Sequence, residues 1–242
     1  MQNKLFNHSV KIRRVLSLTL LIYMCAGAVF AAGEEIPEVD HRFCLTYLLA
    51  PDEKQLITEI ERLEDLIKNS GALNAEETAH VEYAAGVLHT YRYIRSAQRN
   101  DAMQAKKLLV SAESRFAGEV LFTVHIGMAH AFVASIRTVF GVGDLKKMQS
   151  ELQSIDRNHP DWLIRFLRGI TSVEVGRALP NVFTIKEIRA EAVEVGSADL
   201  RYVLDRPRLP GTEDFDPQTY DFNGRPVPWQ IADKALSVLE DG

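Results

Sequence analysis

Three glycines, Gly86, Gly127 and Gly169, stand 41 and 42 residues apart, each inside an apolar, helix-forming stretch. A glycine in a helix interior costs about 1 kcal/mol against alanine. Repeating that cost at one period implies a repeated need for backbones to approach closely. A chain that does this is expected to stack like-shaped helical pairs, and such stacks usually bind something.

The apolar periodicity supports helices throughout. Leu56, Ile60, Leu63 and Ile67 recur at four, three and four residues, one stripe of a helix from about Asp52 to Ser70. Asn74 with Glu77 three residues on is a capping box opening the next helix, which carries Val81, Tyr83, Val87, Leu88 and Tyr91. Asp101 reads as the N-cap of its partner, with Leu108, Leu109, Ala112 and Phe116. Val120 to Val139 is apolar nearly all round, the pattern of a buried central helix rather than a membrane span. Gly141-Val142-Gly143 reads as a turn and Asp144 as the next cap. A third round opens at Trp162, breaks near Gly176 to Pro180 and resumes from about Ile185 to Leu204. Prolines 207, 210, 217, 226 and 228 then predict an extended strap, and Trp229 to Leu239 a short amphipathic helix. No segment alternates with a strand's period of two, so the expected class is all-α.

The second round resembles a tetratricopeptide repeat (TPR). Gly127 falls where that family has its first-helix glycine, and Met148, Leu152, Ile155 and Pro160 hold the second-helix offsets of zero, four, seven and twelve. Ala105, Leu109, Ala112 and Ala117 hold the same offsets after Gly86, with alanine in place of proline. After Gly169 either Ala192 or Gly196 starts the pattern. The period of 41 to 44 residues exceeds the family's usual 34, and HEAT-type arrays have periods near it. An irregular helical bundle with chance glycine spacing is the alternative. The resemblance covers roughly residues 75–205 and implies an antiparallel helix-hairpin array, a TPR-like α-solenoid of about three hairpins. The implied layout is a signal peptide over 1–31, a tether over 32–50, the repeat domain over 51–206, and the strap with its helix over 207–242.

In related repeats ligands meet the first helices near the glycine. Carried over by position, the face comprises Tyr83, Val87 and Tyr91, then Val124, Met128 and Phe132, then Phe166 and Ile170. His80, Thr90, Leu121, Ala131, Leu163, Val173 and Glu174 flank them. Such an apolar face either receives a protein, peptide or apolar small molecule, or is covered by the strap and terminal helix through Phe222, Val227, Trp229 and Leu236.

Residues 1–14 carry Lys4, Lys11, Arg13 and Arg14 with no acid, and a short apolar run follows to Phe30. That is the pattern of a secretory signal, with cleavage expected after Ala31 and a periplasmic, cell-envelope location. Two further expectations stay open: lipidation at Cys25, after the box-like Ile22-Tyr23-Met24, and an uncleaved anchor. Cleavage would take the formal net charge from −5 to −9, because the removed segment holds four cations and no anion. So acidic a domain is a poor partner for nucleic acid. It would keep Cys44 as its single cysteine, within a buried-type apolar run.

No HExxH, phosphate-binding loop or nucleophile elbow occurs, and His125 and His130 are five apart, which misses a shared helix face. No catalytic residue, metal or cofactor is expected. The sequence therefore points to an exported, non-enzymatic binding or scaffolding protein. The second reading is a periplasmic small-ligand carrier or accessory subunit of an uptake system.

Overall fold

The computed structural model describes residues 36–49, 53–69, 71, 73–136, 141–178, 186–213 and 227–240. The segment 1–31, with Cys25 and the expected cleavage site, lies outside the described residues, as do Phe222 and the end of the apolar stretch at Val139. The described residues hold nine helices and no strand. They are α1 (His41–Leu48), α2 (Glu53–Lys68), α3 (Ala75–Ser96), α4 (Arg99–Phe116), α5 (Val120–Ile136), α6 (Val142–Ser154), α7 (Trp162–Ala178), α8 (Lys186–Leu204) and α9 (Val227–Glu240).

The local code is visible in the ends. Asn74 Oδ1 accepts from the backbone N–H groups of Glu76 and Glu77, and Glu77 accepts from the Asn74 N–H at 2.8 Å, closing the capping box. α3 ends at Ala97, whose left-handed backbone (φ 52°) turns the chain into α4. In α2 the stripe Leu56, Ile60 and Leu63 is buried. α5 is buried continuously from Phe122 to Ala134, as expected of a central helix. Among the described residues no helix is long and apolar enough to cross a membrane.

Two caps differ from expectation. Asp101 and Asp144 are the third residues of α4 and α6, whose N-caps are Gln98 and Gly141, neither making a side-chain cap bond. The Gly141-Val142-Gly143 segment is thus the start of a helix. Both aspartates are drawn inward to side-chain partners on the preceding helix, as shown below.

Packing is dominated by neighbours in sequence: α3 on α4, α5 on α6 and α7 on α8. α5 also packs on α4 and α7, α2 on α3, and α9 across both α7 and α8. The three spaced glycines occupy corresponding places in these pairs. A Cβ on Gly86 would lie 2.7 Å from Leu109 Cγ of α4. On Gly127 it would lie 2.9 Å from Leu152 Cδ2 of α6, and on Gly169 2.7 Å from Leu200 Cγ of α8. The leucine met by Gly169 selects the open register: Leu200 sits four residues after Gly196, as Leu109 and Leu152 sit four after Ala105 and Met148. Gly196 in turn packs against the Ser172 side chain.

Candidate functional site

The eight expected contact residues, Tyr83, Val87, Tyr91, Val124, Met128, Phe132, Phe166 and Ile170, do share one region, but none is more than 7% exposed. They are interior. Part of their cover is α1, placed within a segment read from sequence as a tether. Asp40 caps α1 by accepting from the Phe43 N–H at 2.7 Å, and Cys44, Leu45, Leu48 and Leu49 are buried. The apolar run 43–49 is too greasy for a solvated linker, which is why it docks.

Polar contacts fix where α1 lies. Arg95 of α3 donates to the carbonyls of Tyr47 (3.1 Å) and Leu48 (3.0 Å) at its C-terminal end. His41 Nε2, at its first residue, is 2.9 Å from Asp161 Oδ2, just ahead of α7. Burial raises the Asp161 carboxyl, but the hydrogen bond and charge of His41, with the Leu163 N–H and His159, together outweigh it and hold the group below the usual carboxylate value. α1 therefore reaches from α3 to the start of α7. Residues 207–213 close over it. Leu209 and Thr212 are buried, and Trp162 Nε1 donates to the Pro210 carbonyl at 2.9 Å. Gly211 has a positive φ (86°) and sits so near Leu45 that a Cβ there would lie 3.2 Å from Leu45 Cδ1. The terminal helix covers a different part: α9 lies on α7 and α8, and Trp229 Nε1 donates to the Val203 carbonyl at 2.8 Å.

Beneath α1 runs a neutral polar chain. His125 Nδ1 donates to the Leu121 carbonyl (2.7 Å), which leaves Nε2 to accept from the Tyr91 hydroxyl (2.9 Å). The Tyr91 hydroxyl also lies near the Cys44 thiol. Burial pushes Cys44 up to about 12 and His125 down to about 4, and raises Tyr83 and Tyr91 well above the ordinary phenol value. Burial thus holds the Cys44 thiol and the His125 imidazole in their neutral forms. The chain satisfies buried polar groups.

A second feature went unread in the sequence. His89 and His130 each follow their glycine by three residues, and each meets the aspartate near the start of the next helix. His89 Nδ1 is 2.8 Å from Asp101 Oδ1, and His130 Nδ1 is 2.7 Å from Asp144 Oδ1. Lys106 of α4 joins the second pair at 2.5 Å. Burial lowers His130 despite the pull of Asp144. Burial raises Asp144, but Lys106 and His130 outweigh it and the carboxyl ends below its usual value. After Gly169 the equivalent residue is Ser172, and the clamp is built otherwise. Asp199 of α8 accepts from Arg165 Nε at 2.7 Å and Arg168 Nε at 2.5 Å. Arg168 also donates to the carbonyls of Asp156 (3.1 Å) and Arg157 (2.8 Å), just past α6. Among the described residues no three His, Cys, Asp or Glu side chains are grouped so as to hold a metal ion.

An accessible concavity lies elsewhere, between α6 and α8. It measures about 300 Å³ and is walled by Met148, Leu152 and Ile155 on one side and Ile188, Ala192 and Val195 on the other. Gln149, Gln153 and Glu191 also line it. Comparison with protein-family models, with curated proteins and with solved structures finds no match.

Proposed function

We propose that this protein is an exported, non-enzymatic binding or scaffolding module, a TPR-like solenoid of three hairpins (α3–α4, α5–α6 and α7–α8) whose first-helix face docks an amphipathic helix. Three corresponding glycine–leucine contacts support the array reading. The observation that carries the docking mode is α1: a short helix seated by Cys44, Leu45, Leu48 and Leu49, with its C-terminal carbonyls held by Arg95 and its first residue by Asp161. Helix-in-groove recognition lays the apolar side of a short helix into a hydrophobic groove, and Cys44 and Leu48, four residues apart, are buried on one such side of α1. The partner is then a protein or peptide segment of the same chemistry, competing with α1. The basic, acid-free leader supports export to the cell envelope, and the acidic balance of the remainder disfavours nucleic acid.

The test uses the full chain carrying Leu45→Asp, which weakens the α1 anchor, and a fluorescent peptide of residues 37–50. Anisotropy should report binding to the variant and not to the parent, with far-UV circular dichroism retained and Cys44 of the variant newly reactive to maleimide. A helical variant with a reactive Cys44 that ignores the peptide would exclude the docking mode.

A further inference from the structure

α8 begins at Lys186, about one helical turn further ahead of Leu200 than α4 and α6 begin ahead of Leu109 and Leu152. The additional turn brings Ile188 up beside α6, with Glu191, Ala192 and Val195 following on the same flank. α8 is pinned to α7 further along, where Gly169, Ser172 and Gly196 meet, so its opening turns stand off from α6 and leave the cavity. The volume, about 300 Å³, is at the lower end of small-molecule sites, and the walls are chiefly apolar. Leu152, Ile188, Ala192 and Val195 remain half-buried.

Glu191 supplies the polar handle. Its carboxylate accepts from Gln149 Nε2 at 2.9 Å and from Gln153 Nε2 at 2.8 Å. Among the described residues these two amides are its partners, and no cation pairs with it. The two cations that line the cavity are committed to other acids: Arg168 to Asp199, and Arg157 to Glu194. We propose that the cavity binds a small organic cation with an apolar body, the body lying between Leu152 and Val195 and the ammonium on Glu191. A carboxylate held in place by two amides keeps lone pairs for a charged donor, the strongest class of hydrogen bond available to it. An anionic ligand of the same shape would face the carboxylates of Glu191 and Asp156, with Arg157 and Arg168 already engaged by Glu194 and Asp199. This inference does not depend on the helix-docking reading, because the cavity lies on the second helices.

Three probes of matched size separate the terms: 2-phenylethylammonium, 2-phenylethanol and 3-phenylpropionate, each titrated calorimetrically into the full chain. The ammonium should bind about tenfold or more tighter than the alcohol, the margin of one charge-assisted hydrogen bond, and the propionate weakest. Glu191→Gln should bring the ammonium down to the alcohol's affinity and leave the alcohol unchanged. Ala192→Phe should fill the cavity and abolish both; Leu152→Phe, on the opposite wall, replaces it if thermal melting shows that variant unfolded. The proposal is overturned if the wild-type chain binds none of the probes, if the propionate matches the ammonium, or if Glu191→Gln leaves the preference intact.

Discussion

Alanine at each of the three spaced glycines separates two opposed effects whose balance differs from site to site. In every case the substitution gains about 1 kcal/mol of helix propensity. At Gly169 the new Cβ lies 2.7 Å from both Cγ and Cδ2 of Leu200, which is fully buried, and 3.4 Å from the Gly196 carbonyl oxygen. Leu200 cannot swing away from a contact that involves its branch point, so overpacking of about 1–3 kcal/mol opposes the gain. Gly86 is similar, with Leu109 Cγ at 2.7 Å and Leu109 buried. Gly127 is not: its nearest contact is the far end of Leu152, Cδ2 at 2.9 Å, and Leu152 is half-buried and faces the cavity. Urea unfolding followed by circular dichroism should therefore place Gly169→Ala and Gly86→Ala up to about 2 kcal/mol below the parent, and Gly127→Ala level with it or up to about 1 kcal/mol above. A double-mutant cycle of Gly169→Ala with Leu200→Ala should show coupling of about 1 kcal/mol or more, because the smaller side chain relieves the clash. Stabilisation by about 1 kcal/mol at all three sites would refute the reasoning, since it would mean that propensity alone operates.

Two further outcomes follow from buried charge. Asp199→Asn leaves Arg168, 2% exposed, facing a neutral amide, and should cost about 3–5 kcal/mol in urea unfolding; a loss below 1 kcal/mol would show the pair to be solvated. His125, held down to about 4 by burial, is neutral in the folded chain, while the unfolded chain takes up its proton near the ordinary value of 6.5. Stability is fully present above that ordinary value and lost as pH falls toward 4, by about 3 kcal/mol in all. His125→Gln should flatten that slope in pH-dependent melts, leaving the smaller contribution of His130, which has the same sign.

The helices were legible because their evidence is local. The stripe of α2, the box at Asn74 and Glu77, and the uniformly apolar α5 each declare themselves within a few turns. The glycine spacing was legible for the same reason, although the leucines it serves were certain only once Gly169 was seen against Leu200. What sequence periodicity missed is how polar groups are spent. Asp101 and Asp144 look like caps, since aspartate near a helix start usually is one; only the fold brings His89 and His130 to them. The face assigned by resemblance was expected either to receive a partner or to be covered by the strap and terminal helix, and α1 was not among the covers because nothing in residues 36–49 announces a docked helix: eight residues are too few to display a period. Phe43 to Leu49 was nevertheless a buried-type run, and that was the available signal. Glu191 could not have been singled out, because its pairing with two amides rather than a cation, among the described residues, depends on how α6 and α8 come together in space.

The position of α1 also dictates an order of events as the chain is made. The helix is among the first described residues to emerge, yet its seat needs Arg95, Tyr91, Asp161 and finally Gly211. Until the residues around Gly211 arrive, Leu45 lacks the neighbour that packs on it in the folded chain.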